Sequence, residues 1–77
     1  MKIRKNFLEG LEQKVYIYEN KKEEFFLIAV PAIEWSYSFL YQDEEIQSKL
    51  LHSLMERVPL ETAETLSSRI VQWTTEM

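Results

Sequence analysis

The chain has 77 residues, a net charge of −4 and no cysteine, which allows one domain (residues 1–77) and no second. With only His52 besides, neither a disulfide nor a cysteine–histidine zinc site can reinforce so short a chain. What holds it together is a core worth roughly 3–5 kcal/mol, and the acidic balance disfavours nucleic acid as a partner.

Residues 2–7 alternate like an edge strand, while Asn6 and Glu9 have the spacing of a helix capping box, so residues 1–12 read as strand, helix or coil. The only glycine, Gly10, marks a turn and excludes glycine-rich phosphate loops. Residues 14–19 carry Val15, Tyr16, Ile17 and Tyr18, the β-branched and aromatic types that strands prefer. After the polar Asn20-Lys21-Lys22, residues 24–30 form a second strand, apolar on both parities and therefore central. Pro31-Ala32 breaks it. Residues 33–41 then alternate, with Ile33, Trp35, Tyr37, Phe39 and Tyr41 on one side and Glu34, Ser36 and Ser38 on the other.

Asp43 is placed to cap a helix over residues 43–58, with Glu44 and Glu45 at its positive end. Its apolar face holds Ile46, Leu50, Leu51, Leu54, Met55 and Val58, and Pro59 ends it. A second helix over 61–75 carries Ala63, Leu66, Ile70 and Trp73 in a stripe. Strands first and helices after predict an α+β fold: a three- to four-stranded antiparallel sheet with both helices on one face.

If Tyr18 pairs with Glu23, then Val15, Ile17, Phe26, Ile28, Ile33, Trp35 and Tyr37 share the helix-covered face. The other face collects Tyr16, Tyr18, Phe25 and Leu27, with Ala29, beside Glu34, Ser36 and Ser38. Two helices do not cover both faces of a sheet, so these four residues are the candidate partner-binding patch. Three occupants stay open: residues 1–12 folded back through Ile3, Phe7, Leu8 and Leu11, a second copy in a homodimer, or another protein.

The chain offers little for chemistry. Ser48, His52 and Glu56 lie four apart, in the order of a catalytic triad. The helical wheel places His52 opposite the apolar face, and there is no glycine for a nucleophile elbow. Asp43, Glu44 and Glu45 lack calcium-loop spacing. No catalytic residue, cofactor or metal is expected, so the chain reads as no enzyme. Tyr16, Tyr18, Trp35, Tyr37 and Tyr41, with the Lys21-Lys22 hairpin, give an alternative reading as a weak single-stranded nucleic-acid binder. Residues 1–22 hold six basic and three acidic side chains, residues 23–77 three and ten, so no basic stripe supports that alternative.

Met1-Lys2-Ile3-Arg4-Lys5 resembles the start of a signal peptide, but Glu9, Glu12 and Gln13 interrupt the next stretch, where an apolar segment would have to lie. The longest apolar run, Phe25 to Ile33, is far short of the roughly 20 residues that span a bilayer. A soluble protein with no membrane partner is expected, and the lack of cysteine fits the cytoplasm. The stretches MKIRK, VYIYENKKEE, IEWSY and QWTTEM resemble the YueH-like family of small uncharacterised bacterial proteins, over nearly the whole chain. That resemblance implies a compact fold of this length in the cytoplasm of bacilli-like bacteria. It carries over no functional residues, because none of the stretches is a mechanistic motif. The expected role is a small protein-interaction module acting through an open sheet face or a strand edge.

Overall fold

The computed structural model describes residues 1–8 and 10–76; of Leu8 and Leu11 it describes the backbone alone. Four strands, β1 (Lys2–Leu8), β2 (Leu11–Asn20), β3 (Phe25–Val30) and β4 (Trp35–Leu40), precede two helices, α1 (Ile46–Leu54) and α2 (Leu60–Glu76). The strands form one antiparallel sheet in the order β1-β2-β3-β4. The α+β arrangement is therefore the one the sequence predicts, and residues 2–8 supply the fourth strand.

Antiparallel partners that lie opposite each other send their side chains to the same face. Ile17 pairs with Ile28 and Ile28 with Tyr37, while Glu19 pairs with Phe26 and Phe26 with Phe39. One face thus gathers Val15, Ile17, Phe26, Ile28, Val30, Trp35 and Phe39. With Leu50 and Leu54 of α1 and Ala63, Leu66 and Ile70 of α2 they make the buried core. Ile33, Tyr37 and Trp73 pack against it half-buried. The indole N–H of Trp35 donates to Ser53 Oγ at 2.9 Å, which satisfies the one polar atom that ring brings inside.

The β2–β3 register differs from the sequence reading. Tyr18 pairs with Leu27 rather than Glu23, because the connection is a four-residue turn over residues 21–24. Asn20 Oδ1 accepts the Glu23 N–H at 2.9 Å, and Glu24 takes φ 57° to reverse the chain. Strand bounds shift with it, to 11–20 and 25–30. The third predicted strand shortens to 35–40, because Pro31–Ile33 form a 3-10 turn closed by Glu34 at φ 50°.

The first helix begins at Ile46, not Asp43. Its cap residue is Glu45 at φ 54°, with no side-chain cap. Asp43 instead turns its Oδ2 back to accept the Leu40 N–H at 2.9 Å, the local bond that competes with capping in short acidic side chains. The helix ends at Leu54, yet Val58 N–H still reaches Leu54 O at 2.9 Å. That extra turn is why the apolar period runs on to Val58. Of the residues assigned to its inner face, Met55 is exposed. The second helix spans 60–76.

Candidate interaction surface

The sheet's other face is set by the same pairing. Its central rows read Ile3–Tyr16–Ala29–Ser36 and, one step along, Tyr18–Leu27–Ser38, followed by Asn20–Phe25–Leu40. Both helices contribute to the core on the opposite side. Tyr16, Tyr18, Phe25 and Leu27 therefore stand together, Tyr16 and Phe25 half-buried, Tyr18 and Leu27 exposed. The Tyr18 and Phe25 rings lie 6.0 Å apart, tilted by 58°.

Residues 1–8 do not fold back over this face. They extend it as β1, and Ile3 and Phe7 become part of it, 53% and 63% exposed, with Tyr18 at 39%, Leu27 at 40% and Leu40 at 43%. The proposed cover through Leu8 and Leu11 concerns side chains outside the described ones, and the capping box through Glu9 lies outside the described residues. Sequence reasoning missed Leu40, although its parity with Ser36 and Ser38 was the available signal. The face continues along the β1–β2 hairpin beyond the end of β3, since Leu11 to Val15 have β1 partners only. There Lys5 stands opposite Lys14, and Lys5 meets Glu12 at 3.7 Å.

Beneath this hairpin the inner face carries polar side chains. Asn6 is fully buried, and neither its Oδ1 nor its Nδ2 has a partner among the described residues. Arg4 Nε and Gln13 Oε1 share that condition. β1 is thus inverted relative to the other strands in that Ile3 and Phe7 point outward, beside Lys5, while Arg4 and Asn6 point inward.

The aromatic platform does not assemble. Trp35 and Tyr37 lie on the helix side, stacked at 6.2 Å, which leaves Tyr16 and Tyr18 on the outer face. Ser48, His52 and Glu56 are not drawn into the core, and Glu56 falls beyond the end of α1. Among the described residues no group of three or more His, Asp or Glu gathers as metal ligands, and no helix is long and apolar enough to cross a membrane.

A cavity of about 270 Å³ opens at the far end of the core between Phe26, Phe39, Ile46, Val71 and Tyr41. The nearby hydroxyls are already used, Thr74 donating to Ile70 O at 3.0 Å and Thr75 to Val71 O at 2.8 Å. At its rim the Tyr41 hydroxyl donates to Glu19 Oε2. That hydrogen bond, with the negative charges of Glu19 and Glu24, pushes the Tyr41 phenol from 10.0 up to about 12. The folded chain holds this proton more tightly than the unfolded one. The resulting stabilisation is complete below the unfolded pKa and disappears as pH rises through about 12. An ultraviolet titration comparing the native chain with Tyr41→Phe should isolate this late-titrating phenol. Glu19→Ala should return it toward 10.0; an unchanged titration would mean that Glu19 is not the cause.

A family model described as YueH-like protein matches residues 2–76. The chain is 38% identical over 82 aligned positions to "Uncharacterized protein YueH" of Bacillus subtilis (strain 168), with the whole of both chains covered. No solved structure gives a significant match.

Proposed function

We propose that this chain, which belongs to the YueH-like protein family, is a small interaction protein whose working surface is the outer face of its sheet. The observation that carries this reading is the exposed Ile3, Tyr18, Leu27 and Leu40, which run diagonally across the four strands opposite the face the helices cover. Leaving such a patch in water forgoes on the order of 25 cal/mol for each Å² that a partner would bury. Large side chains scattered singly need no explanation, whereas a continuous patch on one face marks a contact surface.

Tyr18 and Leu27 lie directly opposite each other near the centre of the patch, so charging both should abolish association without touching the core. Tagged native chain is expected to retain a stoichiometric protein, either foreign or an untagged copy of itself. The Tyr18→Glu, Leu27→Glu variant should lose it while keeping the native circular-dichroism spectrum. Equal retention by both would show that the outer face is not the binding surface.

A further inference from the structure

We infer that the cavity at the far end of the core is a site for a small organic cation, an ammonium carried on an apolar aromatic body. The body lies between Phe26, Phe39, Ile46 and Val71, and the ammonium at Glu19. This site is on the helix side of the sheet and is independent of the outer face.

The apolar half follows from the walls. The cavity holds about 270 Å³, and a void of about 150 Å³ already admits benzene, so one ring and a short chain fit. Its two threonines donate to helix carbonyls, Thr74 at 3.0 Å and Thr75 at 2.8 Å, which leaves their hydroxyl protons committed. The Phe26 ring stands 5.4 Å from Phe39 and 5.2 Å from Tyr41, a cluster whose ring faces attract a cation.

The charged half follows from Glu19. β2 sends Val15 and Ile17 into the core, and Glu19 continues their parity, opposite Phe26, which in turn lies opposite Phe39. A half-buried carboxylate therefore stands where the strand pattern calls for an apolar residue. Its Oε2 accepts the Tyr41 hydroxyl. Among the described residues it makes no ion pair, and its Oε1 accepts no hydrogen bond. Such a carboxylate gains from a counter-ion, and a bound ammonium supplies one.

The surroundings have the same sign. Glu23 and Glu24 line a second recess that shares Leu40 and Tyr41 with the first, and no described Lys, Arg or His lines either. α2 ends at the cavity through Thr74 and Thr75, with no basic residue in its last turn to offset the negative end of its dipole. The positive end of α1 meets the cavity at Ile46, but Glu44 and Glu45 immediately precede it. Lys21 and Lys22 in the β2–β3 turn are exposed and line neither recess. The Tyr41 phenol registers this field, pushed up to about 12 by the hydrogen bond to Glu19 and the charges of Glu19 and Glu24. An anion of the same shape is rejected.

An NMR titration of the labelled full chain with phenethylammonium, phenethyl alcohol and hydrocinnamate tests this. The ammonium should shift the Ile46 and Val71 methyl signals and leave Tyr18 and Leu27 unmoved. The alcohol should bind about tenfold more weakly, and hydrocinnamate should not bind. Glu19→Gln should erase the preference for ammonium over alcohol while the alcohol still binds, which separates a lost charge from a lost cavity. Thr75→Trp, at an exposed position on the cavity wall, should exclude both. Equal affinity for ammonium and alcohol overturns the inference, as do shifts confined to the outer face or no shift at millimolar ammonium. A Glu19→Gln variant that keeps the full preference overturns the role of Glu19.

Discussion

Ile28→Ala is expected to unfold most of the chain, whereas the same change one residue earlier, Leu27→Ala, leaves it folded. Ile28 is fully buried between Ile17 and Tyr37 on the face beneath the helices. Its truncation removes transfer energy and leaves a cavity, about 2–5 kcal/mol for an isoleucine or leucine in a core. A core of this size supplies roughly 3–5 kcal/mol in all. Leu27 points the other way and stays in water, so its truncation should cost less than about 1 kcal/mol. Denaturant melts at high dilution, where association does not contribute, read the difference directly. Similar losses at both positions would mean that the two faces of β3 are not distinct in solution.

The second large effect has the opposite sign. Asn6→Leu is expected to stabilise the fold by about 1–3 kcal/mol, because a buried amide without a partner among the described residues bears its full desolvation cost. Leucine has the same number of side-chain heavy atoms and no polar group to satisfy, and asparagine is among the poorer strand formers. For a domain of this length each kcal/mol raises Tm by about 4–8 °C. Thermal melts of the native chain and the variant check it. A fall in Tm would show that the Asn6 amide is bonded in the folded protein in solution, and Arg4 and Gln13 would be the first partners to examine.

The inverted strand also marks where the sequence is legible and where it is not. The core faces of β2, β3 and β4 can be read because Val15, Ile17, Phe26, Ile28, Trp35 and Phe39 keep one parity through three strands. Pairing Tyr18 with Glu23 instead of Leu27 misplaces the turn by an even number of residues. Side chains alternate with period two, so such an error leaves every residue on its correct face. The two helices are legible for a similar reason, since a stripe at helical spacing survives an error of a few residues at either end.

Turns and ends are less readable. Glu24, Glu34 and Glu45 take the left-handed conformation that glycine and asparagine usually fill, so nothing in their chemistry announces a reversal. Asp43 has the chemistry of a cap and the position of a turn, and only the structure shows which it serves. β1 is misleading in another way. Its alternation suggests an edge strand, but Ile3 and Phe7 also fit a segment folded back over the outer face. The close hairpin that pairs Leu8 with Leu11 instead ties its parity to β2, and Ile3 then must share a face with Tyr16. The four residues singled out from sequence do assemble on one face. Its extension through Ile3, Phe7 and Leu40 depends on pairing that no local pattern encodes.

The most direct test of the outer face as the working surface is backbone-amide and methyl NMR on the labelled chain, in a dilution series and again with the captured protein added. The shifts that association brings should concentrate at Ile3, Tyr16, Tyr18, Leu27 and Leu40 and spare Leu50, Leu66 and Ile70. Shifts confined to the helix side would contradict the outer sheet face as the working surface.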